Sequence, residues 1–142
     1  MRKKFEKEFI SYCKNQDLEI NPNQIAVVKK LEKYYQNNFQ PFFLKLFSKQ
    51  SSKKGFYLFG DIGVGKTMIL NFFFNLVEEK KVRRHFNEFM INFHDFVHER
   101  KEKNEENVIN QFVKNLKTKA SLVYFDEFQV TNIVDAMILG KL

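Results

Sequence analysis

The residues whose types and spacing are chemically telling begin at Gly60. Gly60-Asp61-Ile62-Gly63-Val64-Gly65-Lys66-Thr67 fits the pattern GxxxxGKS/T of a phosphate-binding loop. It lies between a short apolar run, Phe56 to Phe59, and a long apolar segment from Thr67, which is the strand–loop–helix setting the chemistry needs. Glycines let backbone N–H groups converge on phosphate oxygens with no Cβ in the way, and a helix N-terminus adds its positive dipole end. In such a loop Lys66 bridges the β- and γ-phosphates of a nucleotide, and the Thr67 hydroxyl ligates Mg²⁺. A chance match in a chain this long is on the order of one in a few hundred at average residue usage, and the flanking elements argue further against a Gly-rich turn with a stray lysine.

Leu122-Val123-Tyr124-Phe125-Asp126-Glu127 supplies the complement, an apolar strand ending in two adjacent carboxylates. Asp126 is placed to hold the hydration shell of the Mg²⁺, and Glu127 to polarise an attacking water, so hydrolysis rather than binding alone is suggested. Solvated charges at a strand end are the plain alternative.

Other chemical signals are weaker. His94 and His98 stand four apart on one helical face and loosely echo HExxH, but Asp95 replaces the glutamate and His85 belongs to a separate element, so two ordinary imidazoles are expected rather than a metal site. Arg83-Arg84 at the start of a strand reads as a solvated or salt-bridged edge in preference to a phosphate contact. Phe72-Phe73-Phe74, directly after a phosphate loop, reads as core rather than membrane-facing surface. Cys13, the only cysteine, has no adjacent base and no partner for a disulfide; no zinc site is expected either.

The elements that must position these residues follow from periodicity. Phe5, Phe9 and Tyr12 predict a first helix within residues 3–18. Asn21-Pro22 reads as an N-cap followed by proline at the first helical position, and Ile25, Val28, Leu31 and Tyr35 continue the stripe of a second helix. Gln40-Pro41 breaks that helix, Phe42 to Phe47 is a short apolar piece, and Ser48 to Lys54 is a polar loop. From Gly55 the pattern turns to strands alternating with helices, the signature of a parallel sheet covered by helices. Strands are predicted at Phe56 to Phe59, Val82 to Phe86 and Leu122 to Phe125, the last apolar on both faces and therefore central. Helices are predicted from Thr67 to Glu79, around Phe89, Phe93, Phe96 and Val97, and around Val108, Ile109, Phe112, Val113 and Leu116, with Lys101 to Asn107 a charged connector. The helix after the phosphate loop has little polar face and is expected to be nearly buried. The domain reading is a helical prefix, residues 1–54, and a nucleotide-binding portion, residues 55–142.

Composition fits this reading. The chain of 142 residues is 44% hydrophobic and 29% charged, with 18 Phe, which suits one globular domain with a real core and argues against global disorder. The net charge of +7 sits in residues 1–60, with 12 Lys and Arg against 5 Asp and Glu, while the remainder holds 12 of each. Such a basic segment suits an anionic partner, but surface lysine is usually only solvated. The stretch from Ile69 to Val77, interrupted by Asn71 and Asn75, falls far short of the roughly 20 residues that span a bilayer. The N-terminus, MRKKFEKEF, has neither the apolar run of a secretory signal nor the acid-poor character of a transit peptide, so a cytoplasmic location is expected.

Taken together, these blocks resemble the AAA+ ATPases that include the bacterial ZapE proteins and their mitochondrial relatives, the AFG-like ATPases. The likeness is carried by Gly55-Phe56-Tyr57-Leu58-Phe59-Gly60 leading into GVGKTM, by Arg83-Arg84-His85-Phe86 with Phe89-Met90, and above all by FDEFQVTNIVDAMILGKL from Phe125 to Leu142. The prefix NPNQIAVVKKLEKYY extends it back to about Asn21, and Asn87, Asn132 and Val134 stand where the family more often shows His, Asp and Ala. The resemblance implies an α/β P-loop NTPase fold of the AAA+ type and a Mg²⁺-dependent ATPase. It also implies ATP held by residues 60–67, with Lys66 and Glu127 catalytic and Thr67 and Asp126 at the metal. It implies remodelling of a protein partner, in cell division for bacterial members or quality control for mitochondrial ones, and a ring of subunits in the intact family. Nucleic acid is not the expected partner, and peripheral membrane contact is compatible. The family's sensor-bearing fourth strand, arginine finger and second sensor would follow Leu142, so the chain is expected to be a truncated member with weak or absent hydrolysis. Two other readings remain open: a non-hydrolysing nucleotide-binding or interaction fragment, and a P-loop ATPase acting on nucleic-acid machinery through the basic residues 1–60.

Overall fold

The computed structural model describes residues 4–39, 55–100, 105–130 and 133–141. They fall into two compact units, one ending at Val77 and the other beginning at Glu78.

The described residues of the first unit form three helices. Helix α1 (Phe5–Asn15) buries Phe5, Phe9 and Cys13, an i, i+4, i+8 stripe. It ends in a reversal in which Leu18 N–H donates to the Cys13 carbonyl at 2.9 Å and Asp17 N–H to the Lys14 carbonyl at 3.3 Å. That paired closure needs a left-handed residue past the helix end, and Asp17 takes the position with φ of 51°. Helix α2 (Pro22–Phe39) starts as expected: the Asn21 side-chain oxygen accepts from Asn23 N–H at 2.8 Å, and Pro22 occupies the first turn, where its missing N–H costs nothing. Helix α3 (Lys66–Leu76) follows the glycine-rich loop. Its Ile69, Phe72 and Phe73 are buried, as is Val77 after it, while Met68, Leu70, Phe74 and Leu76 are half-buried, so the helix is largely but not wholly covered. Rings tie the three helices together: Phe9 meets Phe72 edge-on at 5.0 Å, and Phe5 lies 5.2 Å from Tyr35 and 5.9 Å from Phe73.

The expected strand at Phe56 to Phe59 is not hydrogen-bonded to any described strand. Its burial alternates as a strand's would, with Phe56 and Leu58 half-buried and Tyr57 and Phe59 exposed. Alternation is a property of the segment alone, whereas a ladder needs a neighbour. The break at Gln40-Pro41, the apolar piece Phe42 to Phe47 and the loop Ser48 to Lys54 lie outside the described residues.

The second unit runs β1 (Lys81–His85), α4 (Phe86–Arg100), α5 (Glu105–Lys119), β2 (Leu122–Asp126) and α6 (Ile133–Lys141). The strands pair in parallel with Lys81 opposite Leu122 and His85 opposite Asp126, so the two helices between them form the crossover a parallel pair requires. Helix α4 begins at Phe86, the residue expected to end the strand, and α5 begins at Glu105, inside the stretch expected to be a connector. The core holds Phe86, Phe89, Met90, Phe93 and Ile109, with Phe112, Phe125 and Phe128 packed against it. Phe89 sits 4.7 Å from Phe125 and 5.5 Å from Phe112, binding strand and helices into one cluster. The described sheet has two strands, so β2 is not central within it. Only Leu122 of β2 is fully buried, and the other four residues are half-buried.

Candidate functional site

Gly60–Gly65 forms a turn that leads into helix α3. The loop turns through Gly63 (φ 84°) and Gly65 (φ 83°), a backbone region that residues with a Cβ rarely adopt. Gly65 is the N-cap of α3, and no side chain caps that first turn. Leading N–H groups of a helix have no partner within it, so this end is suited to an anion. The loop is open to solvent at Asp61, Ile62, Gly63 and Val64. The Lys66 ammonium folds back and donates to the Gly60 carbonyl at 2.8 Å and the Asp61 carbonyl at 2.5 Å. A lysine held over the loop's own backbone places a cation where phosphate charge would be met. Thr67 is exposed on the first turn of α3.

Asp126 and Glu127 belong to the second unit. Asp126 ends β2 opposite His85, and a parallel register puts Arg83, Tyr124 and Asp126 on one face. There the Arg83 guanidinium donates to an Asp126 carboxylate oxygen and lies 5.1 Å from the centre of the Tyr124 ring. The hydrogen bond and charge of Asp126 raise the Arg83 pKa above its ordinary value, and burial, with the Asp126 charge, pushes the Tyr124 phenol up. Glu127 is exposed and takes φ of 51°, an unusual conformation for a residue with a side chain, so the chain leaves the strand direction immediately after the acidic pair.

The chemistry of a phosphate chain fits the first of these sets: glycines with positive φ, a helix start with no side-chain cap, and a lysine over the loop. A divalent cation fits the second, since Mg²⁺ takes oxygen ligands, one or two from protein and the rest from water and phosphate. Among the described residues no three His, Cys, Asp or Glu side chains cluster to hold a metal on their own. His94 is instead 3.0 Å from an Asp135 carboxylate oxygen of α6, and Arg84 pairs with Glu88 at 3.6 Å.

Two contacts escaped sequence reasoning. The Arg83–Asp126 pair depends on strand register, which no local pattern reveals. Gln24, on the first turn of α2, donates from Nε2 to the Val64 carbonyl at 3.2 Å, and its position in the sequence carries no sign of the loop 40 residues away.

The family described as AFG1-like ATPase matches residues 6–142. The chain is similar to Lactation elevated protein 1 homolog B of Danio rerio, 35% identical over 67% of this chain and 21% of that protein. It is similar to Cell division protein ZapE of Escherichia coli K12, 34% identical over 67% of this chain and 25% of the relative. It also resembles Uncharacterized protein C115.02c of Schizosaccharomyces pombe, 28% identical over 83% of this chain and 27% of that protein. The matched segments thus span about a quarter of these relatives' lengths. No solved structure gives a significant match. No described helix is long and apolar enough to cross a membrane.

Proposed function

The chain belongs to the AFG1-like ATPase family, and from that premise we propose that it binds Mg²⁺-ATP through Gly60–Thr67 and is built for hydrolysis at Asp126 and Glu127. The observation that carries the reading is the loop itself: left-handed Gly63 and Gly65 at the uncapped start of α3, with the Lys66 ammonium laid across the Gly60 and Asp61 carbonyls. In this reading Lys66 and the loop amides neutralise phosphate charge, Thr67 and Asp126 hold the cation, and Glu127 orients a water. A bound nucleotide would supply the phosphoryl group, and its metal would neutralise charge developing on that group. Adenine over guanine rests on the family. The intact activity we propose is ATP-driven remodelling of a protein partner in the cytoplasm, in keeping with the name of one relative, Cell division protein ZapE.

One observation favours a second reading, nucleotide binding without turnover. Arg83 holds the Asp126 Oδ2, so a cation at that oxygen would have to displace the guanidinium.

Calorimetry with Mg²⁺-ATP and a phosphate-release assay on the same sample separate the readings. Lys66→Ala is expected to weaken binding about tenfold or more, in line with a lost charge-assisted contact. Unchanged affinity in a folded Lys66→Ala sample removes the nucleotide site. Binding without release supports the second reading.

A further inference from the structure

Within the first unit, the first turn of α2 lies against the phosphate loop, and one side chain makes the contact. Gln24 Nε2 donates to the Val64 carbonyl at 3.2 Å. The fit is close: a Cβ on Gly65 would stand 2.7 Å from the same nitrogen. Only the amide –NH₂ can face a carbonyl, because the side-chain oxygen would repel it, so the orientation of the Gln24 amide follows from its neighbour. The other end of that amide, Oε1, is buried with no hydrogen-bond partner among the described residues. An unpaired buried acceptor lowers stability, and an apolar side chain of equal length would fill the space without that penalty.

The peptide between Val64 and Gly65 is planar and trans, so its C=O and N–H point in opposite directions. Holding the Val64 oxygen on the α2 side therefore turns the Gly65 N–H away from α2. Gly65 has no Cβ to restrict rotation about its own backbone, and its left-handed φ is one of two conformations nearly equal in cost for glycine. The tether therefore acts on a peptide whose glycine side leaves it free to turn.

We propose that Gln24 is a positioning residue for the phosphate loop: by tethering the Val64 carbonyl it presets the Gly65 N–H toward a bound phosphate, which makes the helical segment before the loop part of the nucleotide site. The inference rests on reading Gly60–Thr67 as a phosphate-binding loop. It assigns to α2 the preorganisation of a backbone donor, which favours binding because the ordering is complete before the ligand arrives.

The test uses the full chain with Gln24→Met, which keeps length and volume but cannot donate, and Gln24→Glu, which replaces the donor with an acceptor. Lys66→Ala is the control. Mg²⁺-ATP affinity is measured by calorimetry, the ligand-free thermal midpoint by circular dichroism, and the Gly65 amide proton by NMR with and without Mg²⁺-ATP. Gln24→Met is expected to weaken binding about three- to tenfold, the effect of one lost hydrogen bond, and Gln24→Glu to weaken it more. The midpoint of Gln24→Met should stay level or rise, since the unpaired Oε1 is gone, and the ligand-induced downfield shift of the Gly65 amide should shrink. A merely structural glutamine would lower the midpoint and leave that shift alone. The inference is overturned if Gln24→Met keeps wild-type affinity while Lys66→Ala loses it, or if affinity falls with the Gly65 shift unchanged. If the wild-type chain binds no Mg²⁺-ATP, or Lys66→Ala binds as well as wild type, the nucleotide reading fails and this inference falls with it.

Discussion

Asp126 is the residue on which the candidate chemistry turns, and in this structure it answers to Arg83. The Arg83 guanidinium donates to one Asp126 carboxylate oxygen, and a cation drawn to that oxygen would compete with it. Arg83 also rests on the Tyr124 ring, so its position is set by two contacts on one face of the parallel pair. Replacing Arg83 with methionine keeps the aliphatic stem over Tyr124 and removes the competitor. The expected outcome for Arg83→Met is a several-fold lower Mg²⁺ concentration at half-maximal ATP binding, measured by titrating Mg²⁺ at fixed ATP. A midpoint equal to or above wild type would show that the pair does not oppose the metal.

Among the elements, the helices are decided by local chemistry and the strands are not. Asn21-Pro22 starts α2 because a side-chain oxygen and a ring without N–H both suit a first turn, and both signals lie in adjacent residues. The end of α1 is local too, but it places a residue with a Cβ where glycine is the usual occupant. Asp17→Gly should therefore stabilise the chain by about 1 kcal/mol, part of the cost of holding a side chain in the left-handed region. The readout is a thermal midpoint about a few degrees higher; a lower midpoint would mean that the backbone freedom glycine gains on unfolding outweighs the relieved strain. The segment Phe56 to Phe59 shows the opposite case. Its half-buried and exposed residues alternate, but without a described neighbour it forms no ladder.

Among the described residues, rings gather in two aromatic clusters, one in each unit. In the second unit Phe89 touches Phe112 of α5 and Phe125 of β2, so a single ring joins the strand that carries Asp126 to the crossover helices. Phe89 is 5% exposed. Phe89→Ala should cost about 3–5 kcal/mol, a large share of the roughly 5–15 kcal/mol that holds a domain folded. Denaturant unfolding followed by circular dichroism reads this directly. A loss under about 1 kcal/mol would mean that the cluster repacks around the gap instead of leaving a cavity.

The sequence by itself determined the phosphate loop, the helix boundaries near Asn21 and Gly65, the apolar stripes and the family. Each of these rests on residues a few positions apart, or on a motif whose mechanism needs particular side chains in fixed order. Tertiary structure alone decided that Arg83 holds Asp126, that Gln24 holds Val64, that Cys13 is core and that Glu127 takes a left-handed backbone. Contacts between residues about 40 apart depend on strand register and helix placement, which arise from summed packing across an entire unit and leave no trace in any one stretch of chain.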